Sequence, residues 1–183
     1  MEGKRAVKIL LVHPQPPGFL RTKTGFYDKY CSMEPLGICY LAAALRQAGF
    51  REVKLIDRGT SGFTDGELLK AILDEQPDLL GFSLFGADIA CTLSLSVKIK
   101  QSLPNVHITL GGHQVTFIAE ELLKTEPRID SIVIGDGDDT IVELAHALSR
   151  SEPLSSIDGI SFRDGDKVIK NRPRFSGRHL DEL

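Results

Sequence analysis

LLGFSLFGADIACTLSLSVKIKQSLPNVHITLGGHQVTFIAEELL, Leu79–Leu123, holds one pattern twice over. Leu79–Ser83 and His107–Leu110 are short, nearly continuous apolar runs of strand length. Between them, Ile89–Gln101 repeats apolar residues at helical spacing and is stopped by Pro104. The second run is followed by Thr116–Lys124, which predicts another amphipathic helix. The stretch therefore reads as strand, helix, strand, helix.

The same alternation extends in both directions. Val7–Val12 predicts a strand, Pro35–Ala48 a helix stopped by Gly49, and Val53–Asp57 a second strand. Thr64 with Glu67 forms a capping box that opens a helix running to Gln76. Downstream, Ser131–Ile134 predicts a strand and Asp139–Ser149 a helix with Ile141, Leu144, Ala145 and Leu148 on one face. Five strand–helix units with apolar strands imply an α/β protein whose parallel sheet is covered on both faces. Right-handed crossovers make a doubly wound, flavodoxin-like (Rossmann-like) sheet in the order 2-1-3-4-5 the best fit. The period then changes: Gly159–Arg163 and Lys167–Lys170 alternate about Asp164-Gly165, a C-terminal β-hairpin. We divide the chain into residues 1–150, the α/β domain, and residues 151–183, hairpin and linker.

Composition narrows the function classes. The 183 residues suffice for one domain, and 42% hydrophobic with 26% charged residues is ordinary for a globular chain. A net charge of −3 with scattered basic residues argues against nucleic acid or a membrane surface as partner. No apolar run reaches the roughly 18 residues of a membrane span, and the N-terminus lacks a signal-peptide pattern, so a cytoplasmic protein is expected. Cys31, Cys39 and Cys91 are too irregularly spaced for a disulfide framework, zinc or iron–sulfur motif. Cys39 and Cys91 are expected in the core.

In such a sheet, ligands bind beyond the carboxyl ends of the strands. Four loops meet there. His13–Glu34 is too long for a plain connection and carries Pro16, Pro17, Gly18, Phe26 and Tyr27. SLFGAD, Ser83–Asp88, ends a strand with a hydroxyl and offers Asp88 as a helix N-cap. LGGHQVT, Leu110–Thr116, pairs Gly111 with Gly112, removing two side chains where something bulky must pass near the backbone, and places His113 next to them. IGDGDDT, Ile134–Thr140, crowds Asp136, Asp138 and Asp139 at a helix N-terminus, which favours carboxylates. A Walker loop and G-x-G-x-x-G are absent, so nucleotide sites of those types are excluded. Thr22–Gly25, TKTG, lies too far from the first strand to act as a flavodoxin phosphate loop. His13 and Ser83 stand where a phosphoryl receiver needs aspartates.

Taken together, EPLGICYLAAALRQAGF (Glu34–Phe50), VKLID (Val53–Asp57), LLGFSLF (Leu79–Phe85), LGGH with VTFIAEELL (Leu110–Leu123) and IDSIVIGDGDDTIVEL (Ile129–Leu144) resemble the cobalamin-binding N-terminal domain of radical SAM enzymes. That group includes anaerobic magnesium-protoporphyrin IX monomethyl ester cyclases and cobalamin-dependent methylases. The resemblance implies a corrinoid held over the strand ends, with its nucleotide beside the third and fourth strands. It assigns cofactor contacts to Pro16, Pro17, Gly18, Pro35, Leu36, Gly37, Ser83, Leu84, Phe85, Gly111, Gly112, His113, Gly135, Asp136 and Gly137. It also implies that S-adenosylmethionine and a [4Fe-4S] cluster belong to a C-terminal domain beyond Leu183, because no C-x-x-x-C-x-x-C occurs here. The D-x-H-x-x-G motif that supplies a cobalt-ligating histidine in methionine synthase is missing too, so base-off binding with no protein metal ligand is expected. G-D-G-D stands for the group's usual G-E-G-E, and His113-Gln114 for its Pro-His. Two other readings remain open: a stand-alone flavodoxin-like protein binding flavin or a protein partner, and a corrinoid carrier acting in trans.

Overall fold

A computed structural model describes residues 7–15, 35–85 and 88–174. The strands are β1 (Ile9–His13), β2 (Val53–Asp57), β3 (Leu79–Ser83), β4 (His107–Gly111), β5 (Ser131–Val133), β6 (Ile160–Asp164) and β7 (Lys167–Lys170). The helices are α1 (Leu36–Gln47), α2 (Arg58–Ser61), α3 (Asp65–Glu75), α4 (Ile89–Ser102), α5 (His113–Thr125) and α6 (Asp138–Arg150). One sheet runs β2-β1-β3-β4-β5-β6-β7. Its first five members are parallel, in the order the sequence predicts.

The hairpin is not an appendage. β6 pairs antiparallel with β5, Ser131 opposite Phe162, and β7 follows it. This covers the β5 edge, which would otherwise present unpaired backbone groups.

Alternation along each strand divides the core in two. Ile9 and Leu11 pack with Ile38, Ala42 and Leu45 of α1 and with Leu144 and Ala145 of α6. Leu10 and Val12 pack with Leu68 and Ile72 of α3, Ile99 of α4, and Ala119 and Leu123 of α5. Burial on both faces is why the strands read as unbroken apolar runs.

Local signals set the helix ends. Thr64 Oγ1 accepts from Glu67 N at 3.3 Å while Glu67 Oε2 accepts from Thr64 N at 2.8 Å, the reciprocal capping box. Gly49 closes α1 at φ +95°, with Phe50 N donating to Leu45 O and Gly49 N to Arg46 O, a Schellman ending.

Several expectations are corrected. Cys39 is exposed and Cys91 half-buried, because α1 buries Ile38, Ala42 and Leu45 and Cys39 falls a third of a turn away. Asp88 occupies the N-cap position of α4 but makes no capping bond, since its backbone is already helical at φ −90°, ψ −11°. α5 starts at His113, three residues before the expected Thr116. The short α2 was not foreseen; Asp57 caps it, accepting from Gly59 N and Thr60 N.

The site at the carboxyl ends of the strands

β3 and β4 lie in register, Ser83 beside Gly111, and the pairing continues past the sheet, where Leu84 N donates to Gly111 O at 2.9 Å. A Cβ on Gly112 would lie 2.3 Å from Leu84 O, and Gly112 sits at φ +118°. This glycine is therefore required by the neighbouring strand's backbone, not by a ligand. A Cβ on Gly111 would meet nothing within 4 Å. The paired glycines thus separate: one closes the loops together, the other leaves open space above them.

Gly135, after β5, is at φ +74° with nothing within 4 Å of its Cβ position, and its N–H donates to Thr116 Oγ1 of α5 at 3.3 Å. Asp136 beside it is exposed. Gly137 precedes α6 and lies 3.2 Å, at its Cβ position, from Leu41 Cδ2 of α1. Pro35 O accepts from Ile38 N and Cys39 N, which starts α1 at the same end of the sheet, and Gly37 also faces open space. Leu36 is 63% exposed, Tyr40 64% and Phe85 54%. Leu84, by contrast, is buried in the core, so only its backbone reaches the surface. Ser83 is half-buried and His113 exposed. Pro16, Pro17 and Gly18 lie outside the described residues, as do Cys31, Phe26, Tyr27 and Thr22–Gly25.

A second feature runs downward from this surface. Because side chains two apart share a face, Ser83 and Gly81 of β3 line up with Gly111 and Thr109 of β4 and with Ser131 of β5. All five are small, and they face the α1 and α6 side, where a Cβ on Gly81 would meet Leu11 Cδ2 at 2.8 Å. Thr109 and Ser131 are buried, with Ser131 Oγ donating to Thr109 Oγ1 at 2.9 Å. The period-two spacing of Gly81-Ser83 and Thr109-Gly111 was visible in the sequence and went unread.

Sequence reasoning also missed a polar pair. His13 ends β1, Asp57 ends β2, and they face each other in register with His13 Nδ1 3.0 Å from Asp57 Oδ1. Burial opposes ionisation of Asp57, but bonds from His13 and Thr60 outweigh it and hold its pKa below the ordinary carboxylate value. The Phe85 ring stands edge-on to His13, centroids 6.1 Å apart. Nearby Asp88 is almost fully buried, which raises its pKa, and its Oδ1 has no partner among the described residues. Among the described residues, no group of His, Cys, Asp or Glu is arranged to hold a metal ion, and no helix is long and apolar enough to cross a membrane.

These features fit a corrinoid. Bare backbone at Gly37, Gly111 and Gly135 leaves room for a broad, flat ring, and Leu36, Tyr40 and Phe85 offer it apolar contact.

Comparison with known proteins agrees. The B12 binding domain family model matches residues 30–145. An uncharacterized methyltransferase of Pyrococcus horikoshii is 31% identical over 98% of this chain and 38% of its own length. The anaerobic magnesium-protoporphyrin IX monomethyl ester cyclase of Synechocystis is 31% identical over 96% of this chain and 34% of its own. The chain thus spans little more than a third of these relatives. In fold it is similar to the cobalamin-dependent S-adenosylmethionine radical enzyme OxsB, solved with aqua-cobalamin and S-adenosylmethionine (TM-score 0.76, 22% identity, 93% of this chain and 23% of that one). It is likewise similar to the radical S-adenosylmethionine methyltransferase TsrM of Kitasatospora setae, solved with cobalamin and a [4Fe-4S] cluster (TM-score 0.74, 19% identity, 95% and 30%). The chain belongs to the B12-binding domain family, and its cofactor is cobalamin.

Proposed function

We propose that this chain is the cobalamin-binding module of a longer radical SAM enzyme, in which residues 1–150 hold the cofactor and residues 151–183 lead toward the catalytic domain. The observation that carries this reading is the open, glycine-lined surface at the strand ends, with Leu36, Tyr40 and Phe85 exposed on it. Bound there, cobalamin supplies a cobalt centre able to carry a methyl group or an electron. The chain's own residues bind and orient it. Pro35, Leu36, Gly37, Ser83, Phe85, Gly111, Gly135, Asp136 and Gly137 surround the corrin, with Pro16, Pro17 and Gly18 entering from the first loop. Leu84 and Gly112 hold the loops beneath it, and His113 meets its edge. The small-residue track Ser83, Gly111, Gly81, Thr109 and Ser131 supports a nucleotide lying along β3 and β4, detached from cobalt.

Cleavage of S-adenosylmethionine belongs, in this reading, to the second domain, which brings the [4Fe-4S] cluster. The parent protein is a methyltransferase or an oxidative cyclase acting on a small molecule in the cytoplasm, with neither nucleic acid nor membrane as partner.

The test is reconstitution of the purified chain with hydroxocobalamin and, in parallel, with flavin mononucleotide. We expect retention of the corrinoid spectrum through gel filtration and no retention of flavin. Electron paramagnetic resonance of the cobalt(II) form should show no nitrogen splitting. Flavin retention without corrinoid would overturn the reading.

A further inference from the structure

His13 is a buried histidine that the proposed cofactor contacts leave without a role. It lies at the end of β1, next to β3, where the strand order reverses and doubly wound folds open a crevice. The residue is only 6% exposed. Asp57 is ionised and accepts Gly59 N at 3.3 Å and Thr60 N at 3.1 Å as well as His13 Nδ1. An ionised carboxylate only accepts, so in the neutral ring the proton sits on Nδ1 and Nε2 carries the lone pair. That Nε2 has no hydrogen-bond partner among the described residues. Nε2 is not among the buried atoms left without a partner, so it opens to the surface at the strand end, where a ligand can reach it.

The surroundings say what kind of partner. Asp57 and Asp88 put two more carboxyl groups beside the ring, and the unpartnered Oδ1 of Asp88 is another acceptor. The buried Arg58 donates to Phe63 O at 2.8 Å and pairs with Asp65 at 2.6 Å, and its charge also acts on Asp88. The end of β1 is thus rich in acceptors and bordered by the half-exposed Phe85 ring. A neutral N–H donor attached to an apolar frame satisfies it. Cobalamin carries such donors as primary carboxamides around the corrin.

We propose that His13, oriented by Asp57, is a specificity-determining residue whose Nε2 accepts a hydrogen bond from one peripheral carboxamide of the bound corrinoid. This rests on the cobalamin reading and selects among corrinoids: a form with that carboxamide hydrolysed to a carboxylate would set an anion against a lone pair and Asp57.

The experiment titrates the chain with hydroxocobalamin and with the cobalamins bearing one carboxylate in place of one peripheral carboxamide. Binding is read from absorbance. Wild type should bind at least one monocarboxylate roughly 30-fold more weakly than cobalamin. In His13→Leu, cobalamin itself should weaken about tenfold and the discrimination should fall below about threefold, while His13→Gln, which keeps an acceptor, should come back within about threefold of wild type. Thermal unfolding of each variant checks that it is folded, and the wild-type panel stands even if His13→Leu does not fold.

Equal affinity of wild type for cobalamin and every monocarboxylate would overturn the inference and leave the cobalamin reading intact. Nitrogen splitting in the cobalt(II) spectrum that vanishes in His13→Gln would overturn it in favour of a cobalt ligand. A wild type that takes up no corrinoid would overturn inference and reading together.

Discussion

The two ends of the sheet hold similar polar residues and treat them differently. At the amino end, Lys100 Nζ donates to Asp130 Oδ2 and Val106 O, and Ile108 N donates to the same carboxylate. His107 Nε2 meets Ser131 Oγ, which passes the bond to Thr109. Asp130, His107 and Ser131 resemble a hydrolytic triad by composition, yet Ser131 is fully buried and no substrate reaches it. At the carboxyl end, glycines leave backbone bare, Leu36, Tyr40 and Phe85 face solvent, and polar atoms of His13 and Asp88 lack partners. A satisfied network serves the fold. The separation is one of degree: among the described residues, Arg163 Nε at the amino end is buried without a partner, as Asp88 Oδ1 is at the carboxyl end.

The sharpest way to break this contrast is at the paired glycines. Gly112→Leu should destabilise the chain by at least about 3 kcal/mol, since it sets a side chain on the Leu84 carbonyl at a φ that L residues avoid. Gly111→Leu should melt within a few degrees of wild type yet lose corrinoid affinity tenfold or more, because its side chain enters only the open space. Thermal unfolding and corrinoid titration of both proteins check this. A Gly111→Leu protein binding cobalamin normally would place the cofactor elsewhere.

At the amino end the effects should be on stability alone. Asp130→Ala removes the acceptor shared by Lys100 and Ile108 N and leaves a buried amide and a half-buried ammonium short of a partner, costing about 2 kcal/mol with corrinoid affinity unchanged. Urea unfolding measures the first and titration the second.

His107 gives the same end a pH signature. Burial, with some help from the Lys100 charge and against the pull of Asp130, lowers its pKa to about 4 from an ordinary value of 6.5. The folded chain therefore binds fewer protons here than the unfolded chain. The contribution is fully present above about pH 6.5 and is lost as pH falls toward 4. Because the ring is half-buried, about 1–3 kcal/mol should disappear over that interval, and His107→Gln should flatten that part of the profile. Urea midpoints between pH 7 and 4 for the two proteins isolate the histidine from the carboxylates that titrate beside it.

How much of this the sequence disclosed depends on the range of the interaction. Thr64 with Glu67, Gly49 after α1, and the apolar runs at Leu79 and His107 act within a few residues, and the elements they set lie within one to three residues of expectation. The strand order followed from crossover handedness. What stayed hidden is long-range. Gly112 needs to be glycine because of Leu84, and His13 becomes a fixed imidazole only because register brings Asp57 opposite it. Likewise, nothing in Gly159–Lys170 alone says that the hairpin will join the edge of β5. The glycines after β4 were legible as a place of close approach; that Gly112 meets the Leu84 backbone while Gly111 faces open space was not.

Phe85 carries the smallest expected effect on the fold and the finest test of the contrast. It follows β3, is 54% exposed, and its ring contact is with His13 alone among aromatic neighbours described. An apolar side chain half in water gives the folded state little, so Phe85→Ser should shift stability by no more than about 0.5 kcal/mol. Exposure that is neutral for folding is still costly to solubility unless something covers the ring, and the corrin is the surface that would cover it. Burial of the remaining ring area against the cofactor should then appear in binding alone, as a three- to tenfold loss of corrinoid affinity in Phe85→Ser. Phe117 is the control: it is 86% exposed on α5 and is not among the residues assigned to the site, and Phe117→Ser should change neither quantity. Equal losses of affinity from the two substitutions would mean that general surface apolarity, and not the strand-end site, holds the corrinoid.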